Sequence, residues 1–74
     1  MLFEKVRAII CDYFDVDEDD VTPDTTFEEL GADSLDMIDL VMSFEDEFRV
    51  EITDETLETF EKVEDAVSFI GNHS

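Results

Sequence analysis

Near the start of the chain, Phe3, Val6, Ile10 and Phe14, joined by Ile9 and Tyr13, recur at helical spacing with charged residues between them. The pattern predicts an amphipathic helix from Leu2 to about Asp15. From Val16 to Ala32 it dissolves into VDEDDVTPDTTFEELGA, where Pro23, the acids and the threonines predict a long loop, with Val21, Phe27 and Leu30 as its tethers to the core. Loops this long in small domains tend to be functional or locally ordered, and Thr26 with Glu29 suggests one capped turn. A second helix is expected over Ser34 to Phe48, opened by Asp33 as N-cap with Asp36 three residues on. ITDETLETF predicts a short third helix, capped by Thr53, with Asp54 and Glu55 at its positive end and Leu57 and Phe60 turned inward. Val63, Ala66, Val67 and Ile70 form the buried stripe of a last helix that Gly71 should stop. The expected fold is all-α: a single domain, residues 1–74, built as a small four-helix bundle of three principal helices and one short one, with a long loop between the first two.

The second helix carries more apolar residues than one core stripe needs. At about 100° per residue, Met37, Leu40, Val41, Phe44 and Phe48 gather on one face. Leu35, Ile38 and Met42 form a second ridge centred about 130° around the cylinder, with Asp36, Asp39, Glu45 and Asp46 beside it. Two readings fit. A central helix in a small bundle buries two sides, or the ridge is left exposed as a partner surface in which apolar knobs supply affinity and acids supply steering.

Charge narrows the choice of partner. The 74 residues contain 23 Asp and Glu against four Lys and Arg, a formal net charge of −19. Such a surface repels phosphate backbones and anionic membranes and attracts basic patches, so nucleic acid is excluded as a partner. It also pushes the fold apart, so screening by salt should stabilise it. Hydrophobic residues still make up 43% of the chain, seven of them phenylalanine, which is the content of a folded domain, though one near the lower size limit for a self-sufficient core. No segment approaches the roughly 20 apolar residues of a membrane span, and the start of the chain lacks the apolar run of a signal peptide. One cysteine, Cys11, cannot form an intrachain disulfide, which fits a reducing, cytoplasm-like compartment.

Candidate chemistry is sparse. DVDEDD, Asp15 to Asp20, imitates the opening of an EF-hand loop, but Asp20 stands where the turn wants glycine and Thr26 where a bidentate Glu is needed. His73 has no partner at metal-ligand spacing, Cys11 has no adjacent base, and carboxylate pairs arise by chance among so many acids. Ser34 stands out. It sits in the first turn of the second helix, where free N–H groups and the dipole favour a bound or attached phosphate. A serine there is ordinarily a cap, yet Asp33 already supplies one.

Gly31-Ala32-Asp33-Ser34-Leu35-Asp36, followed by Leu40-Val41-Met42 and Glu45-Asp46-Glu47-Phe48, resembles the attachment motif and second helix of the acyl carrier protein family. The upstream DVDEDDVTPDTTF loop, the small size and the acidic balance extend the likeness over nearly the whole chain. The resemblance implies a non-enzymatic carrier: Ser34 would hold a 4′-phosphopantetheine arm, transferred from coenzyme A by a phosphopantetheinyl transferase, and the arm's thiol would carry the growing acyl chain as a thioester. Asp33, Leu35, Asp36, Ile38, Asp39, Met42, Glu45 and Asp46 would dock the transferase and successive fatty-acid synthesis enzymes through their basic patches. The acyl chain would retreat near Leu40, Phe44, Leu57 and Phe60. A monomer in the cytoplasm, with no resident metal, is expected. A carrier of polyketide or peptide assembly would share the serine and arm, and an unmodified acidic interaction module would keep the ridge alone. Charge reversal at Asp36 or Glu45 is expected to slow partner reactions more than it alters stability. Thr53 stands where many relatives have proline, FEEL is one residue shorter than some family versions, and Glu61-Lys62 replaces a more usual pair of threonines. These departures concern loop shape and leave the attachment motif intact.

Overall fold

The computed structural model describes residues 1–73. Four α-helices follow one another, α1 (Leu2–Phe14), α2 (Ser34–Phe48), α3 (Asp54–Glu58) and α4 (Val63–His73), with a 3-10 turn at Glu18–Asp20 inside the long first connection. No strand forms among the described residues, and Thr26 and Lys62 make only an isolated antiparallel bridge. This is the expected all-helical bundle.

The three longer helices, α1, α2 and α4, bury the centre of the stripe that their spacing marks. Val6 and Ile10 of α1, Leu40 and Phe44 of α2, and Val63, Ala66 and Ile70 of α4 are fully buried, and α1 packs against both α2 and α4 while α3 packs on α2. At five residues α3 is shorter than a helix that holds itself together in water, so packing and the Thr53 cap, whose hydroxyl accepts the Thr56 N–H at 3.2 Å, sustain it.

The long loop is ordered by the tethers its sequence marks. Val21 and Phe27 are buried and Leu30 is half-buried against the core. The Thr26 hydroxyl accepts the Glu29 N–H at 3.1 Å, completing the expected turn. The loop also closes the start of α4. The carbonyls of Thr25 and Pro23 accept the N–H groups of Val63 and Glu64 at 2.9 and 3.0 Å, and the Asp65 carboxylate accepts those of Glu61 and Lys62 at 3.0 and 2.9 Å. These two backbone hydrogen bonds hold the Asp65 carboxyl below its usual range, and the first-turn donors are satisfied without a threonine at position 62.

Two expectations need correction. Gly71 does not stop α4, which runs to His73. A side chain at Gly71 would put its Cβ 3.2 Å from Leu2 Cδ2, so the glycine marks a close approach of α4 to α1. His73 stacks on Phe69 with ring centroids 4.0 Å apart, and its Nδ1 lies 2.9 Å from the Phe69 carbonyl; Ser74 lies outside the described residues. Tyr13, assigned by periodicity to the apolar stripe of α1, is instead exposed and faces α2.

Candidate functional site

Gly31 turns the chain out of the loop with φ near +80°, a conformation that suits glycine, and the backbone then extends through Asp33 into α2. Asp33 is the N-cap. Its Oδ1 accepts the Asp36 N–H at 2.9 Å, and Asp36 Oδ2 accepts the Asp33 N–H at 3.2 Å, a reciprocal box that closes the helix start. Ser34, the first residue of α2, is exposed and has no part in that cap. Its hydroxyl lies at the positive end of a fifteen-residue helix, where a phosphodiester is electrostatically favoured.

Beside it, between α2 and α3, runs a groove of about 420 Å³ lined by Ser34, Met37, Ile38, Asp54, Leu57, Glu58 and Phe60. A second groove of about 360 Å³, bounded by Thr26, Phe27, Glu28, Ala32 and Glu61, shares Met37 and Phe60 as a common wall. Leu57 and Phe60, expected near an acyl chain, thus meet Ser34 in one groove. Leu40 and Phe44 lie in the closed core, each with no exposed surface. Met37 has more to do than its place on the core stripe indicates, because its flexible thioether stem separates the two grooves.

The second ridge of α2 is open. Leu35, Ile38 and Met42 are 71%, 47% and 60% exposed, so the helix does not bury two sides. Asp39 and Asp46 are exposed beside them, whereas Asp36 and Glu45 are half-buried. Glu45 Oε2 accepts the Ile52 N–H at 2.9 Å and so fastens the α2–α3 connection. The Tyr13 hydroxyl reaches across from α1 to lie 3.1 Å from both Asp36 Oδ1 and Asp39 Oδ2. Nothing in the sequence flagged that contact. On this side a shallow groove of about 790 Å³ is lined by Tyr13, Asp39, Met42, Ser43, Glu45 and Asp46.

Elsewhere among the described residues the side chains offer no reactive constellation. Cys11 is half-buried on α1, and burial, then the charge of Glu18, pushes its thiol up and away from the thiolate. Among the described residues no three His, Cys, Asp or Glu side chains group to hold a metal ion, and no helix is long and apolar enough to cross a membrane.

A family model described as a phosphopantetheine attachment site matches residues 4–70, which defines the class: a domain that bears a covalent pantetheine arm. The chain is 53% identical to an acyl carrier protein of Solidesulfovibrio magneticus over 90% of its own length and 87% of that protein's. It is 54% identical to one of Petrotoga mobilis, over 93% of this chain and 82% of that one. Among solved structures, the crystal structure of an acyl carrier protein from Thermotoga maritima superposes with a TM-score of 0.82 at 40% identity, covering 97% of this chain and 85% of that one. An acyl carrier protein from Enterococcus faecalis superposes with a TM-score of 0.84 at 39% identity, covering 99% and 94%. The chain belongs to the acyl carrier protein family. It is a carrier in fatty-acid synthesis, not a catalyst, and its acyl chains ride on a covalently attached 4′-phosphopantetheine group.

Proposed function

We propose that Ser34 bears the arm, that the exposed ridge of α2 receives the enzymes, and that the groove beside Ser34 shelters the acyl chain. The observation that carries the first point is the Asp33–Asp36 box: because it completes the cap, the Ser34 hydroxyl is free to react while remaining at the positive helix end. Its oxygen attacks the phosphorus of coenzyme A bonded to the pantetheine oxygen. A P–O bond to Ser34 forms, the bond to the leaving nucleotide phosphate breaks, and the serine proton passes to a base on the transferase. Alanine has no such oxygen, and threonine adds bulk.

Docking falls to Leu35, Ile38 and Met42, framed by Asp33, Asp36, Asp39, Glu45 and Asp46. Three apolar knobs exposed together supply contact area, and the acids draw in the basic patches of the phosphopantetheinyl transferase and the synthesis enzymes. One face serving many partners calls for weak, fast, salt-sensitive encounters. The chain functions as one domain and as a monomer in the cytoplasm. The acyl chain enters between α2 and α3 along Leu57 and Phe60, above Leu40 and Phe44.

Incubation with coenzyme A and a phosphopantetheinyl transferase, read by intact mass, tests the attachment. One arm is expected on the wild type and none on Ser34→Ala. An unmodified wild type, or an arm on the Ser34→Ala protein, overturns the assignment.

A further inference from the structure

We propose that Tyr13 is a positioning residue of the docking face: from α1, its hydroxyl holds the Asp36 and Asp39 carboxylates of α2 in the arrangement that a partner's lysines and arginines meet. The inference rests on the docking role proposed above for α2 and adds to it a residue from another helix.

Asp36 and Asp39 stand three residues apart on one side of α2, where like charges repel and tend to splay. The ion pair that involves a basic side chain among the described residues joins Arg7 to Glu18, so no lysine or arginine is paired with these two acids. What lies between them is a neutral donor, with its oxygen 3.1 Å from each. A cation there would cancel the charge that steers partners. A phenol hydroxyl orients both carboxylates and leaves their charge intact. Each carboxylate also keeps lone pairs for a visiting ammonium or guanidinium group.

Exposure supports the same reading. A tyrosine 38% exposed on the stripe side of α1 contributes less burial than its ring could. It is held in place by edge-on contact with Phe14, with centroids 4.9 Å apart, and forms one wall of the groove that Met42 and Asp46 also line. Partial desolvation, then the two carboxylate hydrogen bonds and charges, push the phenol up to about 12, so it remains a protonated donor throughout the neutral range. Holding two side chains in a binding-ready geometry before the encounter lowers the ordering cost that the encounter would otherwise carry.

The test is loading kinetics with a phosphopantetheinyl transferase on Tyr13→Phe, which keeps the ring and removes the hydroxyl. KM for the carrier should rise about threefold with kcat unchanged. In an Asp39→Ala background, where one of the two acceptors is gone, the same substitution should have a smaller effect. A lowered melting temperature with unchanged KM would mean that the hydroxyl only braces α1 against α2, and the inference falls. It falls equally if the KM effect is undiminished beside Asp39→Ala. Asp46→Lys separates this failure from that of the docking face. If Asp46→Lys raises KM while Tyr13→Phe does not, the positioning role alone is lost; if neither does, the docking assignment goes with it.

Discussion

Asp36 and Glu45 each commit an oxygen to the backbone, one to the Asp33 N–H and one to the Ile52 N–H, while the rest of the side chain faces the open ridge of α2. Charge reversal at either would therefore remove a structural hydrogen bond together with the steering charge proposed above, so slower partner reactions and some loss of stability are expected together at these two positions. Asp46, exposed and outside these bonds, is the cleaner probe. Tyr13 supplies a direct readout of the same network. It is the sole tyrosine and there is no tryptophan, so its ionisation can be followed by ultraviolet absorbance without interference. It should titrate near 12. Because the folded-state value lies above the unfolded one, the stability it contributes is fully present below about pH 10 and is lost as pH rises through about 12. In Asp36→Ala/Asp39→Ala the midpoint should fall toward 10; a midpoint near 10 in the wild type would contradict the bifurcated contact.

The ends of the helices differ in how well they are made. α2 opens with a reciprocal box, and α4 opens on carbonyls lent by the long loop. α1 closes poorly: Asp15 is forced to φ 56°, ψ 50°, a left-handed conformation that costs a residue with a Cβ, and its negative charge sits at the negative end of the dipole. Asp15→Gly relieves both and should stabilise the fold by about 1 kcal/mol. Urea unfolding would show this as a higher midpoint at unchanged slope, and an equal or lower midpoint would mean that the Asp15 side chain has a favourable partner. At Gly71 the opposite holds, because there the glycine answers to Leu2 at 3.2 Å and not to a helix stop.

Across the whole molecule, a net charge of −19 is spread over a body with extents of 27 × 27 × 19 Å. These dimensions are only a few Debye lengths at physiological salt, so most acids feel many others. Bundle formation brings them closer than in the unfolded chain, and the resulting repulsion opposes the buried core of Val6, Ile10, Leu40, Phe44, Val63 and Ile70. Raising sodium chloride from low to physiological strength should therefore raise the melting temperature. If screening returns about 1 kcal/mol, the shift is about 4–8 °C for a chain of this size. A melting temperature indifferent to both sodium and magnesium chloride would show that repulsion is not what limits the fold. The same field makes encounters with basic partners salt-sensitive, so ionic strength should act on folding and docking in opposite directions.

Periodicity along the chain was enough to place the three principal helices, because a stripe repeating every 3.6 residues states which side of an axis must leave water, while the short α3 was marked by its cap and first-turn acids. Local chemistry placed the caps at Asp33 and Thr53, whose partners lie three residues away, and the surplus of Leu35, Ile38 and Met42 on α2 could be counted before their exposure was known. What no reading along the chain contained is how the helices meet. Tyr13 turned to the acids of α2, Met37 became a wall between two grooves, Gly71 yielded to Leu2, and Pro23 and Thr25 lent carbonyls to α4. Each depends on distance and angle between elements far apart in sequence. A hydrophobic pattern fixes rotation about one helix axis and leaves that approach to the packing of the whole core.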